Sequence, residues 1–350
     1  MVFTKGIGRV ATASAFTAVL TLSYGLTSIA QALTLNGAGA TFPKPLYDRY
    51  IAEFTKKNPD VKLNYEAIGS GGGIKQFIAG TVDFAGSDAA MTNQEIAQVK
   101  KGVIFVPTAG GAVSVVYNVA GVNNLKLSRA TLPAIFSGQI TRWDDAKIKA
   151  DNPGVKLPAK PIRLVVRSDS SGTSFIFTNH LSAINPQFKS QIGANKAPSW
   201  KGSPLSGKGN AGVGALVKQT DGAIGYVETT YDDQLRLSTA LVQNRSGQYV
   251  APTLAETNKA LANVPFQKDM RVDFSNRAFA DAPQGYPIAG VTWLMVNKSY
   301  APDKAAAMKK FVQFVLGQGQ SINGTLSYTQ IPSNVRVQAL QSVNTNIASK

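Results

Sequence analysis

Apolar residues recur along this chain in two rhythms. Val61-Lys62-Leu63-Asn64-Tyr65 alternates as a half-buried strand does, whereas Leu46, Tyr50 and Phe54 return every four residues, as on one face of a helix. Leu33 to Pro43 reads as a first strand followed by a glycine-rich turn. Pro43 suits the first turn of the helix that follows, where a missing N–H costs nothing, and Lys56-Lys57-Asn58-Pro59 end it. The second strand runs into Gly69-Ser70-Gly71-Gly72-Gly73, read as a polar glycine turn, and then into a helix carrying Ile74, Phe77 and Ile78. Val82 to Ala90 reads as a short buried strand ending in Ser87 and Asp88, and Thr92 with Glu95 forms a capping box for the next helix. Val103 to Pro107 is a fourth strand, and the extended apolar stretch Ala112 to Asn118 is expected to carry the chain into a second domain.

Further along, Thr131 to Phe136 is predicted helical and Gly138 ends it. Pro161 to Val166 is extended. The polar run Arg167 to Phe175 then turns into a helix on which Phe177, Leu181 and Ile184 share a face. The segment 198–214, rich in glycine and proline, reads mostly as a surface loop, with Asn210 opening a helix. Gly222 to Val227 is a buried strand, and Asn244-Arg245-Ser246-Gly247 is a hairpin turn. Tyr286 to Val296 is the last strong strand region, with Pro287 interrupting it. Met308, Phe311, Val312 and Val315 mark an amphipathic helix, and a polar helix covers Val335 to Ile347. Strand, polar turn and helix thus repeat, which is an α/β pattern. The apolar C-terminal helix needs a partner. Packing on the first domain makes that domain discontinuous, with chain crossings expected near Gly110-Gly111 and between Tyr286 and Gly290.

Composition narrows the class. The 350 residues are 44% hydrophobic and 16% charged, enough for a folded protein of two domains. Cysteine is absent, which excludes disulfides, thiolate nucleophiles and cysteine metal sites. Residues 1–32 carry Lys5 and Arg9, an apolar and small-residue stretch from Ala11 to Ile29, and the Ala30-Gln31-Ala32 cleavage signal. They read as a signal peptide rather than a membrane anchor. Its removal leaves 318 residues and lowers the formal charge from +16 to +14. Such a charge draws anions. The lysines are scattered and no nucleic-acid module is present, which argues against nucleic acid as partner.

The chemistry concentrates in the polar turns. Arg167-Ser168-Asp169-Ser170-Ser171-Gly172-Thr173 lies between a strand and a helix. Free N–H groups at a helix start attract an anion, and an arginine fork matches carboxylate, phosphate or sulfate oxygens. The same turn is also compatible with simple helix capping and a surface ion pair. Asp88 stands at a strand end, where open α/β sheets place ligands.

Four segments taken in order carry a family resemblance. Gly37-Ala38-Gly39-Ala40-Thr41-Phe42-Pro43, Gly69-Ser70-Gly71-Gly72, Asp83-Phe84-Ala85-Gly86-Ser87-Asp88 and Arg167 to Phe175 resemble the corresponding segments of periplasmic phosphate-binding proteins. Thr131 to Trp143 and Gly222 to Tyr226 are similar as well, so the resemblance spans nearly all of the chain after residue 32. It implies a periplasmic-binding-protein-like α/β fold: two lobes around a ligand cleft with a hinge. The expected bounds are 33–111 with 288–350 for lobe I and 112–287 for lobe II. It implies inorganic phosphate as ligand, held by Thr41, Phe42 (through its backbone), Ser70, Asp88, Arg167, Ser171, Gly172 and Thr173, with Asp169 supporting Arg167 and Ser70 capping its helix. It further implies delivery to the membrane permease subunits of an ATP-driven importer, by a monomer that is soluble in the periplasm or peripherally associated with the envelope. Two positions depart from the family pattern: Gly71, often serine in relatives, and Ser170, often glycine.

No cofactor, metal site or catalytic residue is expected. His180 is the sole histidine, no Gly-x-Ser-x-Gly elbow surrounds Ser70 or Ser171, and no ligand cluster has metal spacing. The competing functions are a receptor for sulfate or arsenate and a basic surface adhesin or scaffold. Asp88 argues against sulfate, since a buried carboxylate accepts a hydrogen bond from protonated phosphate and only repels a fully ionised anion.

Overall fold

The computed structural model describes residues 32–349. Apart from Ala32, the segment read as a signal peptide lies outside them. Eight strands make the path of the main sheet: β1 (Leu33–Gly39), β2 (Val61–Ala67), β3 (Phe84–Ser87), β4 (Val103–Asn118), β5 (Arg163–Arg167), β6 (Leu205–Gly207), β7 (Ala223–Glu228) and β8 (Ala289–Asn297). Their spatial order is β2-β1-β3-β8-β4-β7-β5-β6, and the short strand Ser238–Thr239 also pairs with β4. The helices α1 (Lys44–Lys57), α2 (Ser70–Ala79), α3 (Gly172–Ile184) and α4 (Gly209–Gln219) begin at the site, and α5 (Pro302–Leu316) and α6 (Ser333–Asn346) pack behind it.

Strand β4 joins the two α/β halves of the sheet. It is a single 16-residue strand, so Gly110 and Gly111 continue it rather than break it. Its first part pairs antiparallel with β8, from Asn297↔Val103 to Ala289↔Ala112, around a bulge near Trp293. From Val113↔Glu228 to Asn118↔Ala223 it pairs instead with β7. One half therefore comprises β1, β2, β3 and β8 with α1, α2, α5 and α6. The other comprises β5, β6 and β7 with α3 and α4. Strands β1, β2 and β3 are mutually parallel, as are β5, β6 and β7, and the two sets run in opposite directions, so their C-terminal ends, where the following helices begin, face each other at the partner change on β4.

Local chemistry accounts for most elements. The buried face of α1 is Leu46, Tyr47, Tyr50 and Phe54, and Lys56 and Lys57 sit in its last turn. Pro43 occupies the N-cap position, one residue earlier than its expected place, and Pro45 falls inside the first turn. The capping box of Thr92 and Glu95 forms as expected, and the hairpin pairs Val242 with Val250. Three expectations need correction. Segment 198–214 contains the strand β6, where Gly207 packs directly on α4. The strand in 286–296 begins only at Ala289, after Pro287. The glycine run after Gly69 is not a loop: Ser70 is already helical, and Gly71, Gly72 and Gly73 form the first turns of α2. The absence of side chains has a packing reason, since a Cβ on Gly73 would lie 2.7 Å from the Ala38 carbonyl oxygen and 2.5 Å from the Gly39 Cα. Helix α2 thus rides directly on the end of β1.

The C-terminal helix returns to the first half. Phe311 on α5 packs edge-on against Phe54 of α1 at 5.3 Å and tilts against Phe84 of β3 at 6.0 Å. Gln320 and Asn323 donate to the Thr108 carbonyl in the interior of β4. Phe311→Ala should therefore cost about 3–5 kcal/mol, read as a lower urea midpoint with unchanged slope. Wild-type stability in that variant would mean that α5 is not part of this core.

Candidate functional site

Four helix starts converge on one buried spot. Thr41 and Phe42 precede α1, Ser70 begins α2, Ser171 caps α3 ahead of Gly172 and Thr173, and Asn210 lies in the first turn of α4. Asp88 follows β3 and Arg167 ends β5. All of these side chains are buried: Ser70, Ser171, Thr173 and Asn210 at 0%, Asp88 at 1%, and Thr41 and Arg167 at 6% exposure. Helix starts present unpaired N–H groups and the positive end of the helix dipole, so the shared environment favours an anion.

Arg167 supplies the permanent charge. Its Nε donates to Asp169 Oδ1 at 2.8 Å, its Nη2 to Asp169 Oδ2, and its Nη1 to Thr173 Oγ1 at 3.2 Å. The pair is bidentate, which fixes the guanidinium plane. Burial raises the Asp169 carboxyl, but hydrogen bonding and charge from Arg167, with the Gly209 N–H, outweigh it and hold the group below the ordinary carboxylate value. Asp169 therefore holds Arg167, as the resemblance implies.

Asp88 is the acceptor of the site. Thr292 Oγ1 donates to its Oδ1 at 2.7 Å, and Ser70 Oγ lies 3.4 Å from its Oδ2. Burial pushes this carboxyl up to about 7, against the lowering effects of the Thr292 hydrogen bond, the Arg167 charge and Ser70. Ser70 does not cap α2, because Gly69 holds the N-cap position. Its hydroxyl oxygen instead accepts from the Asp88 N–H at 3.2 Å and from the Gly172 N–H at 3.1 Å, tying the two walls together. Ser171 does cap its helix, accepting from the Ser174 N–H at 3.0 Å. Phe42 and Thr41 are each held through a backbone carbonyl. That of Phe42 accepts from Tyr328 Oη at 2.7 Å, while that of Thr41 accepts from Tyr231 Oη at 2.6 Å.

The structure thus brings together all eight ligand residues expected from the sequence, together with Asp169. It adds Asn210, which sequence reasoning treated only as a helix opener. Lys208 holds the N-cap position of α4, and Asn210 faces the site. Its Nδ2 donates to Thr41 Oγ1 at 2.8 Å and to Thr173 Oγ1 at 3.2 Å. The signal was a lone amide between Gly209 and Ala211-Gly212, in a segment whose glycines read as loop. His180 is set apart. It is buried in α3 with Nδ1 against the Ala280 carbonyl, away from the site residues.

The two departures from the family pattern are spatial neighbours. A Cβ on Gly71 would stand 2.1 Å from Ser170 Oγ and 2.5 Å from its Cβ, and the Gly71 N–H donates to the Ser170 carbonyl at 2.9 Å. One small volume between the walls is filled from position 170 instead of position 71.

A family model described as a PBP superfamily domain matches residues 26–318. The phosphate-binding protein PstS of Haemophilus influenzae is 38% identical, over 90% of this chain and 93% of its own length. The PstS protein of Pasteurella multocida is 36% identical, over 93% of each chain. Among solved structures, a high affinity periplasmic phosphate-binding protein (PfluDING) bound with phosphate superposes with a TM-score of 0.73 at 22% identity, covering 89% of this chain and 94% of its own. At that identity the likeness speaks for the fold.

Two outcomes follow from the geometry. Because Asp88 is raised in the folded protein, the folded state binds its proton more tightly than the unfolded chain. The resulting stability is present below the unfolded value of 3.8 and is lost as pH rises to about 7. Glu228 and Asp232, also raised by burial, act in the same sense. Asp88→Asn removes only the Asp88 share. The unfolding free-energy difference between ligand-free variant and wild type, read by urea titration, should therefore move in the variant's favour between pH 4 and 7, by roughly 1.4 kcal/mol per pH unit of the window at most. A pH-independent difference would refute it. Separately, Gly71→Ser should destabilise by about 1–3 kcal/mol through overpacking, and adding Ser170→Gly should restore wild-type melting. Failure of the second change to rescue would show that the two positions do not share that volume.

Proposed function

Since the chain belongs to the phosphate-binding protein family of the PBP superfamily, we propose that it binds inorganic phosphate in the periplasm and hands it to the membrane permease subunits of an ATP-driven importer. As a solute-binding component of transport it is not a catalyst. The observation that carries the reading is the donor-rich site with one carboxylate in it: helix N–H groups, hydroxyls and Arg167 on all sides, and Asp88 as the acceptor. The residues proposed to touch phosphate are Thr41, Phe42, Ser70, Asp88, Arg167, Ser171, Gly172 and Thr173, with Asp169 holding Arg167.

The lobes are proposed to be 33–111 with 288–350, and 112–287. Support comes from β4, which exchanges β8 for β7 between Ala112 and Val113, and from α5 packing on α1. A hinge on these crossings lets the lobes close on the anion, and closure is the signal a permease reads. The signal peptide read at residues 1–32 supports a periplasmic location after cleavage, and the form proposed there is a monomer. Among the described residues no helix is long and apolar enough to cross a membrane.

Selectivity rests on a proton. Phosphate near neutral pH brings one for Asp88 to accept, as arsenate also does. Sulfate brings none, so it has to bind together with a proton taken up by Asp88. Calorimetry on protein stripped by unfolding and refolding should show one-to-one phosphate binding. Sulfate should be far weaker, gaining affinity as pH falls from 8 towards 6. Asp88→Asn should shrink the phosphate preference and abolish that pH dependence. Equal binding of both anions by wild type, or undiminished sulfate exclusion in the variant, would overturn this account.

A further inference from the structure

Hydroxyl groups are ambiguous partners for an anion. Each carries one proton to donate and two lone pairs that accept. In this site the ambiguity is removed. Thr41 Oγ1 accepts from the Asn210 backbone N–H at 3.2 Å and from Asn210 Nδ2 at 2.8 Å. Thr173 Oγ1 accepts from Arg167 Nη1 at 3.2 Å and from Asn210 Nδ2 at 3.2 Å. Both lone pairs of both oxygens are occupied, so each threonine has only its proton left to offer. The amide cannot turn over, because its Oδ1 accepts from the Glu228 N–H at 3.1 Å, and a backbone N–H only donates. The same saturation holds at Ser70, whose two donors are the Asp88 and Gly172 N–H groups.

We propose that Asn210 is a positioning residue that sets the hydrogen-bond polarity of the site: by donating to one threonine from each lobe, it forces Thr41 and Thr173 to act as donors to the bound anion. The inference rests on the phosphate reading above and deepens it. Asn210 touches the ligand through these two hydroxyls, and its single side chain bridges the cleft. With Thr41 and Thr173 locked as donors, an incoming oxyanion oxygen without a proton is matched at these positions, and a protonated one is directed to Asp88. Orientation of the anion follows from the same restriction, since the P–OH has one place to go.

Two variants test this. Asn210→Leu keeps the branched shape of the side chain and removes its donor together with the acceptor for the Glu228 N–H. Asn210→Asp keeps the acceptor for the Glu228 N–H but, when ionised, accepts from the threonines and draws their protons away from the anion. Each is titrated with inorganic phosphate by calorimetry beside wild type, with melting of the ligand-free proteins as the control for folding. Asn210→Leu should raise Kd by roughly tenfold or more, as for the loss of a hydrogen bond to a charged group. Asn210→Asp should lose more at pH 8, and its deficit relative to wild type should narrow towards pH 5, where a protonated carboxyl donates to one of the two threonines that the amide serves together. The nearby titratable groups Arg167, Asp169, Asp88, Glu228 and Tyr231 are common to both proteins, so the ratio isolates position 210. Should Asn210→Leu fail to fold, the pH course of Asn210→Asp decides alone. Phosphate affinity within about twofold of wild type in a folded Asn210→Leu, or a deficit in Asn210→Asp that does not change with pH, would overturn the assignment. Wild-type protein that takes no phosphate would overturn the underlying reading, and the inference with it.

Discussion

Arg167 carries a permanent charge into the interior, and Asp169 makes that tolerable. A buried guanidinium without a partner is costly, and a bidentate carboxylate two residues away answers both its charge and its geometry. The pair does more than neutralise. Asp169 also accepts from the Gly209 N–H, so the turn after β5 is bound to the start of α4. Arg167 reaches on to Thr173, so the start of α3 is held to the same group. The positions of two helix starts thus depend on one ion pair, and with them the placement of Ser171, Gly172, Thr173 and Asn210.

The electrostatic character of the site follows from where helices begin. Strands β1, β2 and β3 run parallel to one another and opposite to β5, β6 and β7, and the helices after β1, β2, β5 and β6 start at strand ends that face each other across the middle of β4. That placement gathers N–H groups and positive dipole ends without needing many basic side chains. Asp88 is the counterpoint. Held by Thr292 and Ser70, and pushed up by burial, it is the group in this constellation suited to take a proton from the anion.

Close approach of the walls imposes its own demand on the sequence. Helix α2 can begin beside β1 only if Gly73 has no Cβ, and Gly71 leaves the room that Ser170 fills from the opposite side. The glycines after Gly69 are therefore packing residues of a helix. Their composition resembles that of a mobile loop, which is why periodicity misread them. Residues with no side chain leave no rhythm, and only the neighbours reveal what the space is for.

The sequence by itself determined the alternation of strand and helix, the capping box at Thr92, the burial of the α1 and α5 faces, and the chemistry at Arg167, Asp169 and Asp88. These are local consequences of residue spacing and charge, and they are legible because each apolar face or cap lies within a few neighbouring positions. The tertiary structure decided what depends on distant segments meeting. It merged two strands into one β4 that changes partner at Ala112 and Val113, because pairing with β8 and then β7 overrides the weak break that Gly110 and Gly111 suggest. It turned Ser70 from a cap into a bridge between Asp88 and Gly172. It brought Asn210 to Thr41, 169 positions earlier in the chain. Hydrogen-bond polarity is a property of all the donors around an oxygen, and those around Thr41 and Thr173 come together only when the chain has folded.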